Sequence, residues 1–547
     1  MYKYYILFFS LYFFSCSTLK FKNDYLRSSE NQIKLSFDNS IKSNWQNLDL
    51  ATDSVPGMSV DRAYDELLNG LKPKKVIVAV IDSGVDIDHE DLDGLIWKNL
   101  NEIPNNKIDD DRNGYIDDVF GWNFLGDSYN ETLEMSRLVR DNKINHPQYE
   151  NAKTTVLEKL SEAKENLKLY SPILDNYKIA NNIITNYLEK DSYLIDEIKD
   201  LESEDEFVIK AKEFILYSDS FDLNLDRLER LVNQYYDFVN YYYNVEFNGR
   251  DSVGDDIYDL SDQDYGNPNV MHSRDSESHG THVSGIIAAN RNNNIGMKGI
   301  NNSLEIMPIR AVPNGDEYDK DISLAIRYAV DNGAQIINMS FGKSFSSNPE
   351  WVYEAIKYAE KNNVLIVHAA GNDDKDLDKM DDKNFPNDHK YELEFANNYI
   401  SVGASTISYN EGLVAYFSNY GQKNVDIYAP GYQIYSLLPE NKYDFKNGTS
   451  MAAPAVSGVA SQILSYFPKT SAKKLKKIIL ESGFEFNFNV EHDGKEISFG
   501  KLSRSGKVIN AYNALIMASG KNIKKYFHCL LIDHMLHQYL YLLIFLL

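Results

Sequence analysis

A chain of 547 residues is long enough for a large core and for more than one folded unit. Its 43% hydrophobic and 25% charged residues are ordinary for a globular protein, and a formal net charge of −25 argues against nucleic acid or an anionic membrane surface as a partner for the body of the chain. The only cysteines, Cys16 and Cys529, stand at opposite ends, so the fold is expected to hold without a core disulfide.

The chain opens MYKYYILFFSLYFFSCSTLK. One lysine, Lys3, precedes a short apolar run that ends at Ser15-Cys16, the layout of a secretory signal rather than of a membrane span. A cysteine directly after the small residue resembles a bacterial lipoprotein signal, although Phe13 stands where such signals usually carry a leucine-type residue. Residues 1–15 are therefore expected to be a signal peptide, with Cys16 lipidated and anchoring the exported protein to the cell envelope. The alternative is plain secretion. Residues 16–55 read as an N-terminal extension.

Apolar spacing at Ala63, Leu67 and Leu68, stopped by Gly70 and Pro73, predicts a helix over 60–71. Val76–Ile81 then gives six apolar residues without alternation, which suits a strand covered on both faces of a parallel sheet. Asp82-Ser83-Gly84 follows at its carboxyl end, where α/β folds place their chemistry. The same grammar returns in LEIMPIRAV, AQIINMSFG and VLIVHAAGN as strands, with DKDISLAIRYAVDNG and PEWVYEAIKYAEKNN as helices between them. YISVGA and NVDIYAPG are further strands. The chain goes on to a helix rich in small residues from NGTSMAAP onward and another over SAKKLKKIILESG. Strands alternating with helices predict an α/β fold of three layers, a mainly parallel central sheet with helices on both faces. Residues 131–250 break the pattern. They are charged, tyrosine-rich, poor in glycine and helical in period, which predicts an inserted α-helical subdomain of hairpins. The last stretch, 521–547, is an apolar tail interrupted by Asp533, His534 and His537, a poor membrane-spanning helix with no role assigned.

Three motifs carry chemistry: VIDSGVD, HGTHVSG and NGTSMAAP. They set an aspartate at a strand end, a histidine at a helix start and a serine at another helix start, a possible acid–base–nucleophile set. HAAGN adds Asn372. In this order the motifs resemble the subtilase family of serine proteases, over roughly residues 56–130 and 251–515. The resemblance implies a subtilisin-like fold and a serine endopeptidase acting through an acyl-enzyme. It implies Ser450 as nucleophile, His279 as base, Asp82 as its orienting partner and Asn372 with the Ser450 N–H as oxyanion donors, roles that match what each group needs physically. His282, one turn along from His279, reads as structural, because no third metal ligand and no His-Glu-x-x-His pattern accompany it. The family places its extended protein or peptide substrate beside two chain segments. Here these are Ser340, Phe341 and Gly342 on one wall and Val312–Gly315 on the opposite rim, where main-chain hydrogen bonds would hold a substrate with little sequence demand.

DDDRNGYIDD offers a structural calcium site. With Asp109 at position 1, Asp111, Asn113, Tyr115 and Asp117 fall at 3, 5, 7 and 9 and Gly114 at 6, as in the front of an EF-hand loop. Position 12 is Phe120, so Asp118 or a carboxylate from elsewhere would have to replace the usual glutamate. The family also binds calcium on a loop after the catalytic histidine, where Asp91 and Asn293 match, though the loop has one extra residue.

The sequence departs from compact members of the family in the 197 positions that separate Asp82 from His279. The helical insertion accounts for this, since long surface insertions cost little loop entropy. The stretch from Cys16 to Pro56 is too short for the folded inhibitory prodomain many members carry. The domain is thus expected in two parts, 56–130 and 251–520. A catalytically dead binding protein and a transpeptidase are the rival readings. The sequence leaves oligomeric state and natural substrate open.

Overall fold

A computed structural model describes residues 39–520 apart from 272, 273, 275, 276, 380–382, 391, 392 and 493. The signal stretch, Cys16 and the apolar tail lie outside the described residues. Among those described, no helix is long and apolar enough to cross a membrane.

A nine-stranded sheet forms the frame. Its strands in chain order are β1 (Val76–Asp82), β2 (Trp122–Asn123), β3 (Leu304–Arg310), β4 (Ile336–Met339), β5 (Leu365–Ala369), β6 (Tyr399–Ser405), β7 (Ile427–Pro430), β8 (Phe484–Glu485) and β9 (Lys507–Val508). They lie in the spatial order β8-β9-β7-β6-β5-β4-β1-β3-β2, and every pairing is parallel except β8 with β9 at the edge. Both faces of β1 are covered, which explains its unbroken apolar run. Val76, Val78 and Val80 pack with Val283 and Ile286 of helix His279–Ala288 and Val456 and Val459 of helix Thr449–Tyr466. Ala79 and Ile81 point the other way, against Ile322 and Ile326 of helix Asp319–Asp331 and Val352 and Ile356 of helix Pro349–Lys361. This is the expected three-layer α/β architecture.

The parallel register aligns the functional ends. Ile81 pairs with Met339, and Met339 with His368, so β1, β4 and β5 finish at one rim. Asp82, Ser340 and Asn372 follow there, where the sheet order reverses on either side of β1. The core also takes in part of the segment read as an extension. Trp45 and Val55 belong to the main hydrophobic cluster, and the Trp45 indole donates to the Gln433 carbonyl at 3.2 Å.

The insertion is helical, as its periodicity predicts. Helix Tyr149–Leu188 has 40 residues, about 60 Å at 1.5 Å per residue. Helices Glu206–Asp219 and Leu225–Asp237 pack along its outer part around Leu174, Ile184, Val208, Ile215 and Leu228. This distal core is separate from the sheet cores. The root of the insertion is different. Helix Glu134–Arg140 and the returning strand of chain are tied together, with Leu133 N–H and Ser136 Oγ both donating to the Tyr242 carbonyl at 3.1 and 2.7 Å. From there Glu134 reaches Lys343 across a buried 3.2 Å ion pair, and Asp319 meets the same ammonium at 2.9 Å.

Candidate active site

Asp82 ends β1 and is 1% exposed. Its Oδ1 accepts the Ser83 N–H at 2.8 Å and lies 2.7 Å from His279 Nδ1. The second oxygen, Oδ2, is buried without a hydrogen-bond partner. His279 opens its helix with its side chain 35% exposed, so one ring nitrogen faces the carboxylate and the rest of the ring faces solvent. Gly280 makes this approach possible. A Cβ there would stand 2.2 Å from the Gly84 carbonyl oxygen and 3.1 Å from Asp82 Cβ. The His-Gly pair is therefore a packing requirement of the Asp–His contact.

His282 is fully buried, its Nε2 3.2 Å from the Asp444 carbonyl. Burial, with the Lys446 charge adding to it, pushes its pKa down to about 3. It is a buried, neutral imidazole, whereas His279 faces Asp82.

Ser450 is the second residue of helix Thr449–Tyr466. The preceding Gly448 has φ +149°, a backbone that disfavours side chains. A Cβ on Gly448 would lie 3.6 Å from Asn372 Nδ2 and 3.5 Å from the Ser450 nitrogen, so both nitrogens border the same small space. The Asn372 amide is oriented by its oxygen, which accepts Thr449 N–H at 2.8 Å and Thr449 Oγ1 at 3.0 Å. Its nitrogen is left facing the serine. Ser450 Oγ donates to the Ser340 carbonyl at 2.9 Å instead of to His279.

Of the substrate-wall residues, Ser340 is buried and its hydroxyl donates to the Ser450 carbonyl at 2.9 Å. Its side chain thus locks the serine helix, and only its carbonyl faces the site. Phe341 leans on the second core cluster beside His368. Gly342 is exposed, and a Cβ there would strike Asn384 Oδ1 at 2.4 Å. Asn384 donates to the Ala369 carbonyl at 2.9 Å and so links Gly342 to the end of β5. Sequence reasoning missed it, because it comes from a loop with no motif of its own. The opposite rim meets the insertion. Gly315, φ +145°, lies against the root of the insertion, where a Cβ would meet the Glu131 carbonyl at 2.2 Å.

The acidic loop brings part of the expected ligand set together. Glu102, Asp109 and Asp111 bring oxygens within 4.8 Å of one another. Asp117 turns outward to accept from Asn106 and Lys107 N–H at 3.1 and 2.9 Å, and the Tyr115 ring is packed on Trp122 and Tyr328. Asn113 gives its amide nitrogen to Asp118 at 3.0 Å and its oxygen to Tyr115 N–H at 2.8 Å. Asp118 is buried, with its pKa raised to about 6 by burial against hydrogen bonds from Tyr328 and Asn99. Glu102, seven positions before Asp109, folds back onto the loop, where its carboxylate accepts the N–H groups of Asp110, Asp111 and Asp117 at 2.8, 3.1 and 3.1 Å. Asp91 and Asn293 do meet, but through the amide nitrogen, which donates to Asp91 Oδ1 at 2.6 Å. Met297 N–H donates to the other oxygen at 3.2 Å, so protein donors already satisfy this carboxylate.

A model described as the subtilase family matches residues 73–500. The chain is 35% identical over 231 residues to the cell wall-associated protease of Bacillus subtilis (strain 168), covering 42% of this chain and 23% of that protein. It is 34% identical over 260 residues to the thermophilic serine proteinase of Bacillus sp. (strain AK1), covering 47% and 55%. It is 37% identical over 220 residues to the major intracellular serine protease of Bacillus subtilis (strain 168), covering 40% and 64%. In each case the chain spans less than two thirds of the relative. The family match takes in most of the sheet, both functional helices and all four motifs, and the chain belongs to the subtilase family.

Proposed function

We propose that the protein is an exported serine endopeptidase that hydrolyses peptide bonds in proteins or peptides through an acyl-enzyme. The 2.7 Å contact between His279 Nδ1 and Asp82 Oδ1, set at the same rim as Ser450 and the Asn372 amide, carries the reading. Asp82 holds the imidazole in the tautomer whose Nε2 accepts a proton, and it stabilises the imidazolium that forms. Ser450 Oγ turns from the Ser340 carbonyl toward that nitrogen, gives up its proton and attacks the substrate carbonyl. Such hydrogen bonds are often unmade until substrate arrives. Asn372 Nδ2 and the Ser450 N–H at the helix start donate to the oxyanion. His279 then protonates the leaving amine, and water repeats the sequence to release the acid. The relatives named as proteases support the reaction class. The N-terminal motif ending at Cys16 supports export and a lipid anchor to the bacterial envelope.

Calcium completes the proposal. Glu102, Asp109 and Asp111, with Asp118 beside them, form a hard oxygen set suited to it. When bound, the ion would neutralise the cluster and fix the loop ahead of β2, with no part in the chemistry. Labelling with a fluorophosphonate probe and cleavage of labelled casein, wild type against Ser450→Ala, test the function. Equal casein cleavage by purified Ser450→Ala would refute it.

A further inference from the structure

The insertion root does more than support distant helices, because it closes most of the rim on which a substrate chain would pair. Rim residue Pro313 has no N–H. Asn314 has both main-chain groups engaged, its N–H donating to Tyr129 O at 2.8 Å and its carbonyl accepting from Glu131 N–H at 2.9 Å. The carbonyls of Asp316 and Glu317 are each capped at 2.9 Å by the two terminal nitrogens of one guanidinium, that of Arg137. Lys343 Nζ adds a second bond to the Glu317 carbonyl at 2.8 Å. Among the described residues of this rim, Gly315 alone keeps both its N–H and its carbonyl unpaired. The cap is rigid. Arg137 is 2% exposed, is paired with Glu134, donates also to the Thr132 carbonyl at 2.8 Å, and stacks 4.1 Å over the Tyr318 ring.

We propose that Arg137 is a specificity-determining residue that cuts the substrate-pairing edge down to Gly315, so the enzyme grips only a short stretch of peptide on the amino side of the cleaved bond. The proposal rests on the peptidase reading above and deepens it. A rim with a free row of carbonyls adds a main-chain hydrogen bond as the substrate lengthens. A rim whose carbonyls at Asp316 and Glu317 are already bonded to a fixed guanidinium offers the longer peptide no free acceptor at those two residues. The cleaved peptide then gains little from residues beyond the second or third, whatever their side chains.

The test is a series of chromogenic peptides with one to five residues before the cleaved bond, assayed on the full chain. For wild type, kcat/KM should rise over the first residues and then stay flat within about twofold, where an open edge would add about fivefold for each new hydrogen bond. Two variants free the Asp316 carbonyl and leave the Glu317 carbonyl with Lys343 alone. Arg137→Met with Glu134→Gln removes the cap without stranding a carboxylate. Arg137→Lys keeps the charge in a single ammonium that cannot span both carbonyls. In either variant, activity should climb with the fourth and fifth residues, mostly through KM. A wild-type series that keeps rising to the fifth residue would overturn the proposal, and so would variants that fold, label and stay flat. Should both variants fail to fold, the wild-type series alone decides. Fluorophosphonate labelling of wild-type Ser450 is run beside it. Failure to label would refute the peptidase reading, whereas labelling with a rising length series refutes only the cap.

Discussion

Gly280→Ala perturbs the site through one methyl group. Its backbone is ordinary helix, so strain is not the issue; the space is. The new Cβ would lie 2.2 Å from the Gly84 carbonyl oxygen, and real contacts do not fall under 3.0 Å. The clash is with main chain on both sides, since Gly84 follows directly on β1 and Gly280 sits in a buried helix, so neither yields as a flexible side chain does. The helix start must then retreat by roughly 0.8 Å, which stretches the 2.7 Å His279–Asp82 contact to about 3.5 Å, past hydrogen-bond length. A misplaced catalytic group costs about 10²-fold, and a histidine without its orienting partner about 10⁴-fold, so kcat should fall between those limits. Overpacking adds about 1–3 kcal/mol of lost stability. The assay is kcat and KM on one chromogenic peptide together with the thermal midpoint. A folded Gly280→Ala enzyme within about tenfold of wild-type kcat would refute the argument that this glycine exists to seat the histidine.

Asn372→Ala should lower kcat by about 10²–10³ with KM little changed, because its free amide nitrogen acts on charge that exists only in the transition state; a defect lying wholly in KM would count against that role. Calcium at about 100-fold over its Kd should add ~2.7 kcal/mol to stability, read as a higher thermal midpoint. Asp109→Ala with Asp111→Ala should erase most of that gain, and an unchanged response would move the site elsewhere. Without calcium, Asp118 makes this loop weaker as pH rises. Its folded pKa, near 6, is above the unfolded value, so the native state holds the extra proton and stability falls from about pH 4 to 6. Asp118→Asn should flatten that decline in a urea titration, and a slope equal to wild type would show the carboxyl is not responsible. Excising the distal helices, residues 168–231, should spare peptide cleavage, whereas replacing all of 131–250 removes Glu134 and Arg137 from the rim and should lower KM for peptides with four or five residues before the cleaved bond. Equal KM values for the two deletions would mean the root does not shape the cleft.

What could be read in the sequence was local. The apolar run Val76–Ile81 announces a strand with two covered faces because alternate residues enter two cores. Asp82, His279, Asn372 and Ser450 each sit at an element end, where motif and geometry are fixed within a few residues. What escaped was long-range. Glu102 completes the acidic loop from upstream, against the reading direction of a calcium-loop pattern. Asn384 meets Gly342 and Gly371 across the cleft with no spacing rule to betray it. The Glu134–Lys343 pair joins residues 209 positions apart, so a boundary drawn at 131 from helical period alone cuts through a buried ion cluster. Periodicity detects which face is apolar, and it carries no information about which distant carbonyl a buried arginine will reach.

Ser340 and Ser450 are bonded in both directions, hydroxyl to carbonyl each way, at 2.9 Å. The wall that would choose a substrate side chain and the atom that would attack its carbonyl are therefore one mechanical part. Selectivity and rate are not independent dials on this enzyme. A variant that reshapes the wall at position 340 to admit a new side chain also shifts the nucleophile, and whatever breadth it gains in substrates it would surrender in turnover.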